Sequence, residues 1–207
     1  MTFVRLGTVF SSVITGNLAL LGVALGERHG ALAVNGGLAL AAYAVGVLAG
    51  GALAGPMEGG QRVWPRRATT TMAVELVVLA GFCAGWLAAD GHPSGAARLA
   101  LLALGAVAMG MQSAAVRLLG QMSSTYLTST LIGIFQSLAV REAPQDWQRG
   151  TGVLIAFVAG AALGMAGAAA ATALVPVVVM LPLAAVVLGA ASSAPLRLPR
   201  GPAGHGG

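Results

Sequence analysis

Three groups of polar residues sit where the surrounding sequence is apolar, and each is suited to a different chemistry. Thr15-Gly16-Asn17 and Thr128-Ser129-Thr130 put hydroxyl or amide groups beside small residues. At such places a membrane helix can unwind and turn its freed carbonyls and half-helix ends on an ion or a small polar solute. The same side chains can instead bond back to their own helix while the small residues allow close packing, and the residue types alone leave both readings open. Gln112 lies deep in the apolar stretch GAVAMGMQSAAVRLLG and is a candidate lining group. Arg117, two residues from the end of that run, is expected to snorkel to the interface. Glu75, in TTTMAVELVVLAG, is the one acidic residue well inside an apolar run. An intramembrane carboxyl reads either as a proton or cation site or as a protonated group bonded to a neighbouring helix. Eight residues of helix separate it from Arg67, or ~12 Å, close to the midplane if the span begins there.

Other chemistries find no support. There is no nucleophile-base pair, no P-loop and no GxGxxG after a strand. The carboxylates Glu27, Glu58, Glu75, Asp90, Glu142 and Asp146 form no paired motif, so an enzyme is not expected; a membrane-embedded one ranks third among the readings below. His29 and His92 stand singly beside acids in Glu27-Arg28-His29 and Asp90-Gly91-His92, without an HExxH or a Cys pair, so neither a metal nor another cofactor is expected. Cys83 is the only cysteine, which rules out an intrachain disulfide.

The elements that must hold these groups are membrane helices. The chain is 57% hydrophobic and 8% charged, against about 25% charged in soluble domains, and its mean hydropathy is +0.86. Seven apolar segments can be marked at about 7 to 26, 34 to 55, 69 to 89, 98 to 119, 122 to 140, 151 to 173 and 174 to 194. Each approaches the ~20 residues of a span. Backbone groups in lipid must pair within the segment, which makes the fold all-α, and barrel-type alternation is absent. Residues 1 to 194 read as a single membrane domain, and 195 to 207, rich in Pro and Gly, as a disordered tail. The net charge of +5 comes from eleven basic residues, all Arg and mostly between apolar runs. That is the distribution of topology signals rather than of a nucleic-acid site. A chain with no Lys, few aromatic residues and abundant Ala, Gly and Arg fits a GC-rich bacterial genome. No basic region precedes the first apolar stretch, so Ala24-Leu25-Gly26 is not read as a signal-peptide cleavage site.

The chain repeats. Leu6, Gly7, Ser11, Thr15, Leu18 and Leu25 fall on Leu119, Gly120, Ser124, Thr128, Leu131 and Leu138 at an offset of 113, and Ala42, Gly46, Gly50 and Ala54 on Ala156, Gly160, Gly164 and Ala168 at 114. Two halves, about 1 to 90 and 98 to 194, follow. The second carries a helix over 98 to 119 that has no counterpart ahead of Val4, so either the first helix of the first half was lost or Met1 is an internal methionine. If all seven segments cross, Arg divides five against six; if 7 to 26 and 122 to 140 are broken or re-entrant, it divides eight against three. The positive-inside rule favours the second arrangement and a cytoplasmic C-terminus. It also makes the halves inverted repeats, as in many secondary transporters. Five Gly-x3-Gly pairs, at Gly22, Gly46, Gly51, Gly81 and Gly160, read as close packing inside the monomer or in a homo-oligomer.

The blocks Leu6-Gly7-Thr8-Val9-Phe10 with Thr15-Gly16-Asn17-Leu18, and Gly110-Met111-Gln112 with Ala114, Ala115, Arg117, Leu119-Gly120 and Thr128-x-Thr130-Leu131, resemble the YoaK-like family of small bacterial membrane proteins, whose function is unknown. The likeness runs over about residues 3 to 193 and implies a polytopic inner-membrane protein. In that family the first block usually follows a helix ending in Asp-Ala, and the second block usually reads Thr-Gly-Thr; this chain begins too late for the former and has Ser129 in the latter.

The leading expectation is a transporter or channel for a small solute or ion, with Thr15, Gly16, Asn17, Gln112, Thr128, Ser129 and Thr130 lining a cavity and Glu75 coupling protons or ions. Its partners are then the lipid bilayer and that solute. The rival is a non-transporting membrane scaffold whose polar clusters are internal glue.

Overall fold

The computed structural model describes residues 6, 8–10, 13–55, 66–118, 131–132, 135, 147–170 and 175–192. Among them there are helices and no strand. The helices are α1 (Ile14–Gly26), α2 (Gly30–Ala54), α3 (Arg66–Ala88), α4 (Gly95–Leu118), α5 (Trp147–Ala170) and α6 (Val175–Ser192).

Three stretches, Gly30–Ala54, Arg67–Ala88 and Gly95–Arg117, are long and apolar enough to cross a membrane. At 1.5 Å per residue each exceeds the ~30 Å hydrocarbon core. The expected segment at 7 to 26 is different. It is helical only from Ile14, over 13 residues or ~20 Å, too short to span. Residues 8–10 ahead of it are not helical, and Thr8 has a φ of 62°. The segment at 122 to 140 and the tail lie almost wholly outside the described residues.

The short turns between helices are closed by backbone bonds. After α1, His29 N–H donates to Ala24 O at 2.8 Å and Arg28 N–H to Leu25 O at 3.3 Å, a Schellman ending with Arg28 in the left-handed region at φ 57°. After α3 the pattern recurs, with Gly91 N–H on Trp86 O, Asp90 N–H on Leu87 O, and Asp90 at φ 48°. Neither left-handed residue is Gly, which is why sequence punctuation marks these turns poorly. His29 then caps α2, its Nδ1 accepting from Leu32 N–H at 3.4 Å, and α2 begins earlier than its apolar run.

α2, α3 and α4 form the centre. Gly46 lies against Val107 and Gly50 against Met111 and Ala114, so contacts advance in the same direction and α2 and α4 run parallel. A Cβ on Gly46 would overlap the Val107 carbonyl, and one on Gly110 the Tyr43 carbonyl. Absence of side chains brings these backbones together. α3 returns antiparallel, with Gly85 against Leu101. At the end of the bundle holding the turns after α1 and α3, Leu6, Val9, Ala39, Trp86, Leu101 and Leu102 make the buried core, flanked by Leu20, Leu32, Leu38, Phe82 and Leu104. α6, carrying Pro182 within it, packs on α3, and Cys83 Sγ lies 2.9 Å from Met180 Sδ.

Among the described residues, not every Gly-x3-Gly pair meets a neighbouring helix at both glycines. At Gly22, Gly26, Gly51, Gly81, Gly160 and Gly164 no atom of the described residues lies within 4 Å of the place a side-chain methyl would take, unlike Gly46 and Gly50. Spacing puts two glycines on one face of a helix but says nothing about what faces them.

Candidate functional site

Glu75 is the most unusual group in the bundle. It is fully buried, and neither carboxyl oxygen has a hydrogen-bond partner among the described residues. It shares the buried stripe of α3 with Ala68, Thr71, Met72, Cys83 and Trp86, positions that recur on one helical face. Thr71, one turn before it, is also fully buried, but its Oγ1 donates to Arg67 O at 2.9 Å. Arg67 and Arg117 are exposed at the near ends of α3 and α4. One other buried side-chain atom lacks a partner among the described residues, Arg98 Nε, in the first turn of α4 at the opposite end.

Register relates Glu75 to the residues singled out on α4. Because Gly85 meets Leu101 and the helices are antiparallel, ten residues back along α3 and ten forward along α4 bring Glu75 level with Met111 and Gln112. Gln112 is half-buried and three turns beyond Leu101 on the same face of α4. Ser113 beside it makes a contact that the sequence reading missed: Tyr43 Oη donates to Ser113 Oγ at 2.8 Å, and Ser113 Oγ donates to Met109 O at 2.9 Å. The bond ties α2 to α4 next to the glycine contact. A Tyr one turn before Gly46 was the available signal, but pairing it with a residue 70 positions away requires the helix register.

The first Ser/Thr block is placed elsewhere. Thr15 is exposed, Gly16 half-buried against Val13 and Phe10, and Asn17 fully buried. Asn17 closes a clasp on the non-helical leg: its Oδ1 accepts from Phe10 N–H at 2.9 Å and its Nδ2 donates to Phe10 O at 2.5 Å. Backbone groups outside a helix must be satisfied when water is absent, and one amide side chain satisfies both groups of Phe10. Replacing Asn17 by Ala removes both of these bonds, and at about 1 kcal/mol per bond it should lower the unfolding free energy in detergent by about 2 kcal/mol, with Asn17→Asp also destabilising because a carboxylate would face the Phe10 carbonyl. Thr128, Ser129 and Thr130 lie outside the described residues. No group of three or more His, Cys, Asp or Glu able to hold a metal occurs among the described residues.

Spans of this length around a buried carboxyl define a multi-pass α-helical membrane protein. The chain belongs to the YoaK-like family described as "Protein of unknown function (DUF1275)", which matches residues 1–189. It is 31% identical over 142 residues to "UPF0700 transmembrane protein YoaK" of Bacillus subtilis (strain 168), an alignment covering 67% of this chain and 60% of that relative. No solved structure matches.

Proposed function

We propose that this chain is a transporter or channel for a small solute or ion, without enzymatic activity, in the inner membrane of a bacterium and with its C-terminus cytoplasmic. The observation that carries the reading is Glu75: a buried carboxyl with no partner among the described residues destabilises a fold, and its retention is accounted for by a task that needs it. A charge there must be compensated by a proton or a cation, which is the currency of coupled transport.

A second feature supports the reading. Gly36 approaches Asn17 and Leu21, so antiparallel α1 starts about level with the middle of α2. Leu6 and Val9 pack near the same end of the bundle at which α1 finishes. In this reading residues 6 to 26 dip to mid-depth and return, leaving the N-terminus of a half-helix inside the bundle, and 122 to 140 does the same in the inverted second half. The solute site then lies between the two dips, with Thr15, Gly16, Gln112, Thr128, Ser129 and Thr130 near it. The scaffold reading draws on the Asn17 clasp and the Tyr43–Ser113 bond, polar groups already employed in packing. Solute uptake by deletion cells complemented with wild type or Glu75→Gln separates the two. Transport predicts uptake restored by the wild type and reduced at least tenfold in the variant at equal expression; equal uptake in all three strains supports the scaffold.

A further inference from the structure

We infer that Glu75 is the proton carrier of this protein: its carboxylate takes a proton from a hydronium ion on one side of the membrane, leaving water, and gives it to water on the other, with no metal cation substituting. The inference rests on the transport reading and adds the identity of the coupling ion.

A metal ion leaving water needs its shell replaced by several oxygens, six to eight for Ca²⁺ and an octahedron for Mg²⁺. Glu75 offers two oxygens, and no other hydrogen-bonding group among the described residues lies within reach of either. Thr71, the buried hydroxyl one turn away, already bonds to Arg67 O. Met72 and Ala68 supply no hard ligand, and α6, the apolar helix packed on α3, is built from Val, Leu, Ala, Pro, Met, Gly and a final Ser. A proton needs none of this: it forms one O–H bond and cancels the charge without further ligands.

Among the described residues no fixed charge competes for the role. Of the helices packed on α3, α2 contributes Tyr43 as its only titratable group, α4 contributes Arg98 and Arg117, and α6 contributes none. On α3 itself stand Arg66, Arg67 and Cys83. Tyr43 is engaged with Ser113. Arg67 and Arg117 are at the near ends of their helices, about 12 Å and 9 Å along the axis from the level of Glu75 at 1.5 Å per residue. Arg98 is at the far end. None is a hydrogen-bond partner of Glu75, so its charge is left for the mobile ion to balance. The nearness of the level to the Arg67 end gives the carboxyl a short route to that surface and a longer one to the other, which the half-buried Gln112 at the same depth on α4 would help to bridge.

The test is infrared difference spectroscopy of the purified full chain in lipid, with proton flux measured in the same vesicles by an internal pH dye. The expected result is a carboxylic C=O band, absent from Glu75→Gln, that disappears as pH is raised and returns as it is lowered, and that Na⁺ or K⁺ at fixed pH leaves unchanged. A Glu75 band that persists at every pH, is missing at every pH, or is removed by Na⁺ or K⁺ overturns the inference. The flux arm tests the transport reading separately: a titrating band without flux refutes transport while leaving a proton site, and flux that survives Glu75→Gln refutes Glu75 as carrier. The titration is read in the wild type, and Glu75→Gln, checked for folding by its thermal unfolding, serves to assign the band and for the flux arm.

Discussion

Gly46→Ala is expected to lower the unfolding free energy by about 3 kcal/mol, toward the upper end of overpacking costs, although it adds a single methyl group. The ideal methyl position lies within the Val107 carbonyl and 2.9 Å from Val107 Cα, so no rotamer change relieves it; α2 and α4 must separate. Gly110→Ala attacks the same contact from the other side, with its methyl on the Tyr43 carbonyl and 2.8 Å from Val47 N. The two changes share one structural consequence, and once the helices have moved apart the second costs less. The double variant should therefore lose clearly less than the sum of the singles, as expected for residues in contact. Gly51, adjacent to Gly50 and with nothing within 4 Å among the described residues, provides the internal control. Gly51→Ala should be neutral or stabilise by up to ~1 kcal/mol through helix propensity. Denaturant or thermal unfolding in one detergent, applied to the wild type and all four variants, reads the result; equal effects at Gly46 and Gly51 would mean that α2 and α4 do not meet as described.

A rigid α2–α4 pair also limits how the protein can work. With the backbones in contact and Tyr43 bonded to Ser113, a conformational cycle that splits this pair would expose polar groups and lose the packing that replaces the hydrophobic effect between membrane helices. Motion is more economically placed outside this pair, at α1 and at α3, which carries Glu75. This bears on how Asn17 is used in experiments. A substitution meant to empty a solute site would also release the leg from α1, so loss of activity in Asn17→Leu does not by itself assign solute contact.

Different parts of this arrangement were legible in the sequence to different degrees, for physical reasons. Helix type and span number over 30 to 118 follow from apolar length alone, because lipid leaves the backbone no other choice. The depth of Glu75 follows from counting residues from Arg67. Its lack of a partner among the described residues does not, since that depends on which faces of α2, α4 and α6 meet α3. The two glycine pairs Gly46/Gly50 and Gly160/Gly164 match at one offset in the sequence, yet among the described residues only the former is closed against a helix. Phe10 and Asn17 are seven residues apart and belong to one apolar run, which reads as one helix. The break between them becomes evident only when the side-chain amide is seen to replace the missing backbone partners.

The sharpest division between a transport site and internal glue is the sign of a stability change. Glue means that the Glu75 carboxyl contributes hydrogen bonds, so that replacing it by an apolar side chain costs the fold. With both oxygens buried and without partners among the described residues, the opposite is expected. Glu75→Leu removes the desolvation penalty of an unsatisfied polar group, about 1–3 kcal/mol, and fills similar space beside Met72. Thermal unfolding should therefore shift upward while uptake and proton flux are lost. Glu75→Gln should show no such gain, because its amide is as short of partners as the carboxyl it replaces. Natural chains give up stability at positions where function requires a group the fold does not want. A Glu75→Leu protein that is less stable than wild type would place a partner on the carboxyl and return the group to a structural role, whereas one that is more stable and inactive identifies the position at which this membrane bundle trades stability for work.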